Sequence, residues 1–167
     1  VHMEWMRGAG RDLGKTGPLN NAREWAAIQP TILVHRLDQI QILCRTKQGC
    51  IIEAWSDDRG KHWSSFARTD LPNPNSAIDG IMLADGRALL VYNHSRDDRG
   101  VLNVALSLEG KTWEAAVVLE DNPGDEYSYP AVIQTRDGMV HITYSWKRQR
   151  IKHVVLDPAQ LRTRPLP

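Results

Sequence analysis

A chain of 167 residues, 41% hydrophobic and 25% charged, is long enough to bury one sizeable core, and its net charge of +1 gives no electrostatic reason to expect a nucleic-acid partner. No run approaches the ~18 apolar residues of a membrane span, and Val1-His2-Met3-Glu4-Trp5 lacks the pattern of a secretory leader. Neither a membrane nor a cofactor is expected as a partner, and the cytoplasm is the favoured compartment.

Residues 1–20 are rich in glycine and charge, with Gly17-Pro18 as a turn signal, and Asn21 to Ala27 reads as a short helical turn. From there the strand grammar is continuous. Ile28 to His35, Gln39 to Arg45 and Cys50 to Trp55 are strand candidates. The polar turn Ser56-Asp57-Asp58-Arg59-Gly60-Lys61-His62-Trp63 leads into a fourth from Trp63 to Thr69, and Leu71-Pro72-Asn73-Pro74-Asn75 is a linker. Cys44 and Cys50 flank the second hairpin turn. They either face each other as a cross-strand disulfide or stay as two thiols, and they match no zinc pattern.

The same order of events then recurs. Ile78 to Leu83, Ala88 to Asn93 and Leu102 to Ser107 are followed by a second tryptophan turn, Ser107 to Trp113, and by a strand from Trp113 to Leu119. After the polar loop Glu120 to Asp125, a third round runs through Tyr129 to Gln134, Met139 to Ser145 and Arg150 to Leu156. The basic cluster Lys147, Arg148, Arg150 and Lys152 reads as a solvated hairpin face. Pro158 to Leu161 is too short to count as a helix.

Trp113 follows Trp63 by 50 residues, and the turn aspartates Asp38, Asp85 and Asp137 are spaced by 47 and 52. With six Trp against one Phe, this recurrence points to small antiparallel sheets in a toroidal array, each with an aromatic turn. The fold class is all-β, with about three antiparallel blades of a β-propeller at about 21–72, 73–122 and 123–167, and with residues 1–20 ending a degraded preceding blade. Propellers close with typically 4 to 8 blades. Three blades leave two open edges, so either the chain is part of a longer polypeptide or two copies form a homodimer that completes a six-bladed ring.

In the first tryptophan turn the Asp side chains can accept backbone N–H bonds, Gly60 supplies a positive φ, and Trp63 covers the blade flank. The spacing does not suit an EF-hand, and no metal is expected. This Ser-x-Asp-x-Gly-x-x-Trp pattern resembles the Asp-box, or BNR repeat, of the sialidase superfamily, whose members are six-bladed propellers. Ser56 to Trp63 matches it fully, Ser107 to Trp113 resembles a shortened form with Glu109 as its acid, and Met6 to Leu13 resembles a degraded copy. The runs Gln29-Pro30-Thr31-Ile32-Leu33, Leu43-Cys44-Arg45-Thr46 and Glu126 to Gln134 are similar to a bacterial and plant sialidase-like branch, as the C-terminal half of a full-length member.

The resemblance implies a site for an acidic sugar. Arg45 and Arg99 resemble two arginines of the triad that clamps the sugar carboxylate, with Arg96 the rival of Arg99; a guanidinium fork suits a planar anion. Tyr127 resembles the tyrosine nucleophile, with Tyr129 as its core partner. Gln29 stands where the pattern has the activating glutamate, and a neutral amide cannot act as a general base. Asp79 is the nearest other carboxylate, with His94 and Glu126 behind it. The implied function is that of a sialidase-like glycoside hydrolase fragment acting on or binding an acidic sugar; the alternative is a non-catalytic carbohydrate-binding or assembly module. The triad's first arginine and the loop aspartate used as general acid have no counterpart in this chain.

Overall fold

The computed structural model describes residues 4–9, 12–19 and 23–167. Strands β1 (Trp5–Ala9) and β2 (Asp12–Thr16) pair antiparallel where the degraded turn was expected, and residues 1–3, 10, 11 and 20–22 of the expected N-terminal features lie outside the described residues. Three up-and-down sheets follow. The first is β3 (Ala27–Val34), β4 (Ile40–Thr46), β5 (Cys50–Ser56) and β6 (Ala67–Pro72), paired in that order. The second is β7 (Asp79–Met82), β8 (Ala88–Tyr92), β9 (Val101–Ser107) and β10 (Glu114–Asp121), and the third is β11 (Tyr127–Gln134), β12 (Val140–Trp146) and β13 (Arg150–Leu156). These are about three blades of an unclosed propeller.

The period-2 alternation of strand side chains explains how the blades stack. On β8, Leu89 and Val91 join Leu102, Val104 and Leu106 in a core shared with Val132, Val140, Ile142 and Tyr144 of the third sheet. Leu90 and Tyr92 point the other way, into a core with Leu33, Leu43, Ile51 and Leu71 of the first. All five residues of β8 are therefore buried, as a middle blade requires. The far face of the first sheet, with Ile42, Cys44, Ile52 and Ala54, is covered by Leu19, Trp25 and Trp63.

The innermost strands β3, β7 and β11 lie side by side. Asp79 ties them together: its carboxylate accepts from the Thr31 hydroxyl at 3.2 Å and from the Val132 N–H at 2.8 Å. Thr31 Oγ1 in turn accepts from Gly80 N–H at 3.0 Å.

Both tryptophan turns close in the same way. Ser56 Oγ accepts from Gly60 N–H at 2.8 Å, Asp58 Oδ1 accepts from the N–H groups of Lys61 and His62, and Trp63 Nε1 donates to Gly60 O at 3.2 Å. In the second turn Ser107 Oγ accepts from Gly110 N–H at 2.8 Å, Glu109 from Thr112 N–H at 2.7 Å, and Trp113 Nε1 donates to Gly110 O at 3.1 Å. Because Trp63 is spent on its turn, β6 begins at Ala67 rather than Trp63, and it takes in the first two residues of the expected linker.

The edges differ. The C-terminal tail covers β10, with Ala115 and Arg164 exchanging backbone bonds of 2.8 and 3.0 Å. Strand β13 exposes Ile151 and Val155, while Ile32 and Val34 at the opposite end and Ile133 of β11 are also exposed. Cys44 and Cys50 are buried and not joined in a disulfide; Cys44 registers with Ile52 rather than Cys50, so the two do not face each other. Among the described residues no helix is long and apolar enough to cross a membrane, and no group of three or more His, Cys, Asp or Glu is placed to hold a metal ion.

Candidate functional site

Antiparallel order sends the N-terminal ends of β3, β7 and β11, and the loops β4–β5, β8–β9, β10–β11 and β12–β13, to one face. All eight candidate residues read from the sequence lie on or beside these segments. The clefts of about 390 and 640 Å³ open elsewhere, against the second tryptophan turn at Leu108 and Glu109, and contain none of the eight.

Gln29 (51°) and Tyr129 (54°), at the heads of β3 and β11, and Asn75 (55°), in the loop four residues before β7, are non-glycine residues at positive φ. Such backbone strain persists only where the surroundings over-determine it, and it clusters at functional sites. At two of the three, Gln29-Pro30 and Tyr129-Pro130, the ladder register shifts, so a bulge re-aims the neighbouring side chains.

The arginines converge on the third. Arg45, at the end of β4 and 9% exposed, donates from Nη1 to the Asn75 carbonyl at 2.7 Å; Arg99 donates from Nη2 to the same oxygen at 3.3 Å. Arg99 also meets Glu126 at 3.3 Å, and Glu126 is held from its other side by Arg148 at 2.7 Å. Arg45 has no carboxylate partner among the described residues, and its buried Nε has no hydrogen-bond partner. Its pKa is lowered, first by burial and further by the Arg99 guanidinium, against an opposing contribution from the Tyr129 phenol. Two like charges drawn to one neutral oxygen, with the neighbouring Glu126 carboxylate divided between Arg99 and Arg148, are electrostatically suited to an added anion.

The two tyrosines do not sit as expected. Tyr127 is 2% exposed within the core shared by the second and third sheets, where its hydroxyl donates to Asp125 at 3.3 Å. Burial, and then the Asp125 carboxylate, raise its pKa, which is the wrong direction for a nucleophile. Tyr129 is 58% exposed, its hydroxyl has no partner among the described residues, and it is the phenol that acts electrostatically on Arg45. Regular alternation would put Tyr127 and Tyr129 on one face; the register shift between Ser128 and Ala131 breaks it and sends them to opposite ones.

The other candidates divide. Gln29 is exposed at its bulge. Both oxygens of Asp79 are engaged in joining inner strands. His94 is half-buried, with Nδ1 2.5 Å from the Tyr92 hydroxyl, and its pKa is lowered by burial, against a hydrogen bond to the Pro167 backbone oxygen. Burial opposes ionisation of Glu126, but Arg148 and Arg99 hold its pKa below the usual carboxylate value. Arg96 is exposed and stands apart, against Gly49 of the β4–β5 turn.

The basic cluster is paired rather than free. Lys147 meets Asp125 at 2.7 Å, Lys152 meets Glu120, and Lys147 and Arg150 each lie 4.6 Å from the Trp146 ring centre. Sequence reading missed Asn75, whose contribution is a backbone carbonyl. The only signal was Asn73, whose Oδ1 accepts from Ser76 N–H at 2.8 Å and sets the turn.

A family model described as a BNR repeat-like domain matches residues 1–142. The chain belongs to the BNR repeat-like family. No functionally curated protein matches it by sequence. Among solved structures it is similar to the intramolecular trans-sialidase from Ruminococcus gnavus in complex with oseltamivir carboxylate, with a TM-score of 0.79 and 18% identity over 97% of this chain and 39% of that one. The NanB sialidase from Streptococcus pneumoniae gives 0.76 and 18%, over 93% and 27%. The leech intramolecular trans-sialidase complexed with 2,7-anhydro-Neu5Ac gives 0.76 and 18%, over 95% and 28%. This BNR-repeat chain thus has the sialidase-like propeller fold and spans less than two-fifths of those structures, in keeping with half of a six-bladed ring.

Proposed function

We propose that this BNR-repeat half-propeller supplies the carboxylate-binding arm of an acidic-sugar site. The observation that carries this reading is the convergence of Arg45 and Arg99 on the Asn75 carbonyl, with Arg45 nine-tenths buried, unsatisfied at Nε and without a carboxylate partner among the described residues. A sugar carboxylate placed there gains two charge-assisted contacts and offsets the mutual repulsion of the guanidiniums. Tyr129, exposed at the strained head of β11, is the phenol available to a bound sugar, and it takes the role first expected of Tyr127.

Glycoside hydrolysis is the reaction class this placement suits. A phenol attacks an anomeric carbon only when a base removes its proton, and the residue at the expected base position is the amide Gln29. Binding without turnover is therefore the reading favoured for this chain by itself. A screen of fluorogenic glycosides tests it: no turnover by wild type and by Tyr129→Phe supports binding only, whereas turnover lost in Tyr129→Phe and kept in Tyr127→Phe establishes hydrolysis. The exposed Ile32 and Val34 at one end and Ile133 at the other suit closure of the ring by a second copy. Sedimentation equilibrium returning a dimer supports that partner, and monomer alone across the concentration range rejects it.

A further inference from the structure

A cleft of about 340 Å³ lies between the first and second sheets, lined by Cys50, Arg68 to Pro72 and Arg96. It exists because β6 carries extra chain. Cys50 pairs with Pro72 and Ile52 with Arg68, so two steps along β5 are matched by four along β6. Thr69 stitches this bulge, donating to Ile51 O at 2.8 Å and accepting from Leu71 N–H at 3.3 Å. Bulges of this kind re-aim side chains at sheet edges and beside binding sites.

Arg68 on the bulge and Arg96 on the β8–β9 loop are both exposed, and among the described residues neither has an ion-pair partner, although Asp70 lines the same cleft. By contrast Arg59, Arg87, Arg99 and Arg148 are each paired with a carboxylate. The linker after β6 separates this cleft from the Arg45–Arg99 pair: Asn73 N–H bonds Gly49 O at 3.2 Å, and two residues on, the Asn75 carbonyl receives both inner arginines. Two arginine pairs therefore flank one linker on one face.

We infer that Arg68 and Arg96 form an outer anion subsite, so that the preferred ligand is an acidic glycan bearing a second carboxylate or sulfate beyond the sugar held by Arg45 and Arg99. This assignment rests on the acidic-sugar reading for its biological role. Guanidinium forks bind either oxyanion through charge-assisted hydrogen bonds, and charges this exposed are sensitive to salt.

Galacturonic acid and its linear tetramer serve as probes, titrated calorimetrically at low ionic strength. Wild type binds the tetramer about tenfold more tightly than the monomer, the gain expected of one added charge-assisted contact. Arg68→Ala/Arg96→Ala abolishes that advantage and leaves monomer affinity unchanged; both side chains are exposed, so the thermal midpoint stays in place. Sulfated tetramer in place of the carboxylate form distinguishes the two oxyanions. A tetramer advantage that survives in the double variant, or is absent in wild type, overturns the subsite. Failure of the inner reading looks different: Arg45→Met then leaves monomer binding intact, while any tetramer advantage still depends on Arg68 and Arg96.

Discussion

Replacing Gly110 by alanine separates the strain of a turn from the contact between two blades. Gly110 has φ +78°, so any side chain there costs about 1–2 kcal/mol in backbone strain alone. A Cβ would also stand 2.4 Å from Gln41 Oε1, 2.8 Å from His35 Cε1 and 2.9 Å from the Trp55 ring. Gln41 cannot step aside freely, because its Nε2 donates at 2.7 Å both to Glu53 and to Gly110 O. Overpacking of that kind adds roughly 1–3 kcal/mol. Gly138 is the control: its φ is +86° and nothing lies within 4 Å of its would-be Cβ. Urea unfolding followed by tryptophan fluorescence should place Gly110→Ala about 2 kcal/mol below Gly138→Ala, which is about 1 M in midpoint at an m-value near 2 kcal/mol/M. Equal midpoints would refute the docking of the second tryptophan turn on the first sheet.

Removing the Asp79 carboxylate with alanine strands the Val132 N–H and leaves the Thr31 hydroxyl only the Gly80 carbonyl to donate to, and should cost about 1–3 kcal/mol in the same unfolding assay, with Asp79→Asn recovering part of it. Burial pushes the Cys44 thiol up to about 12, so it should stay unreactive to a disulfide reagent at pH 8 until urea unfolds the chain. The carboxyls of Asp58 and Asp137 are held below their ordinary values, first by the His62 backbone N–H and the Thr135 hydroxyl respectively. Depressed folded-state values stabilise the fold above the unfolded carboxylate pKa of about 4, and that contribution is lost as pH falls through the folded values. Thermal melts should therefore drop below about pH 4, and less steeply in Asp58→Asn.

Much of the fold is visible in the sequence because its repeat is chemical. A Ser, an acid, a Gly and a Trp in fixed order are needed to close each outer turn, so Ser56 to Trp63 and Ser107 to Trp113 count blades. The inner face is harder to read. Whether Tyr127 or Tyr129 is buried depends on a bulge that shifts the register between Ser128 and Ala131, and alternation alone cannot count an extra residue. Sequence marks Arg45 and Arg99 as charged residues near strand ends. That they share one acceptor is a tertiary fact, and the acceptor is a backbone carbonyl that any residue at position 75 could supply. Asp79 looks like a free acid in the sequence and proves to be the joint between three inner strands.

The carboxylate-binding role of the Arg45–Arg99 pair is tested most directly by titrating N-acetylneuraminic acid and its methyl ester into wild type and Arg45→Met, with binding read from arginine side-chain NMR shifts. Binding of the acid alone, lost in the Arg45→Met variant while its melting profile stays cooperative, is the predicted result. Equal binding of acid and ester, or acid binding that survives the loss of Arg45, would contradict it.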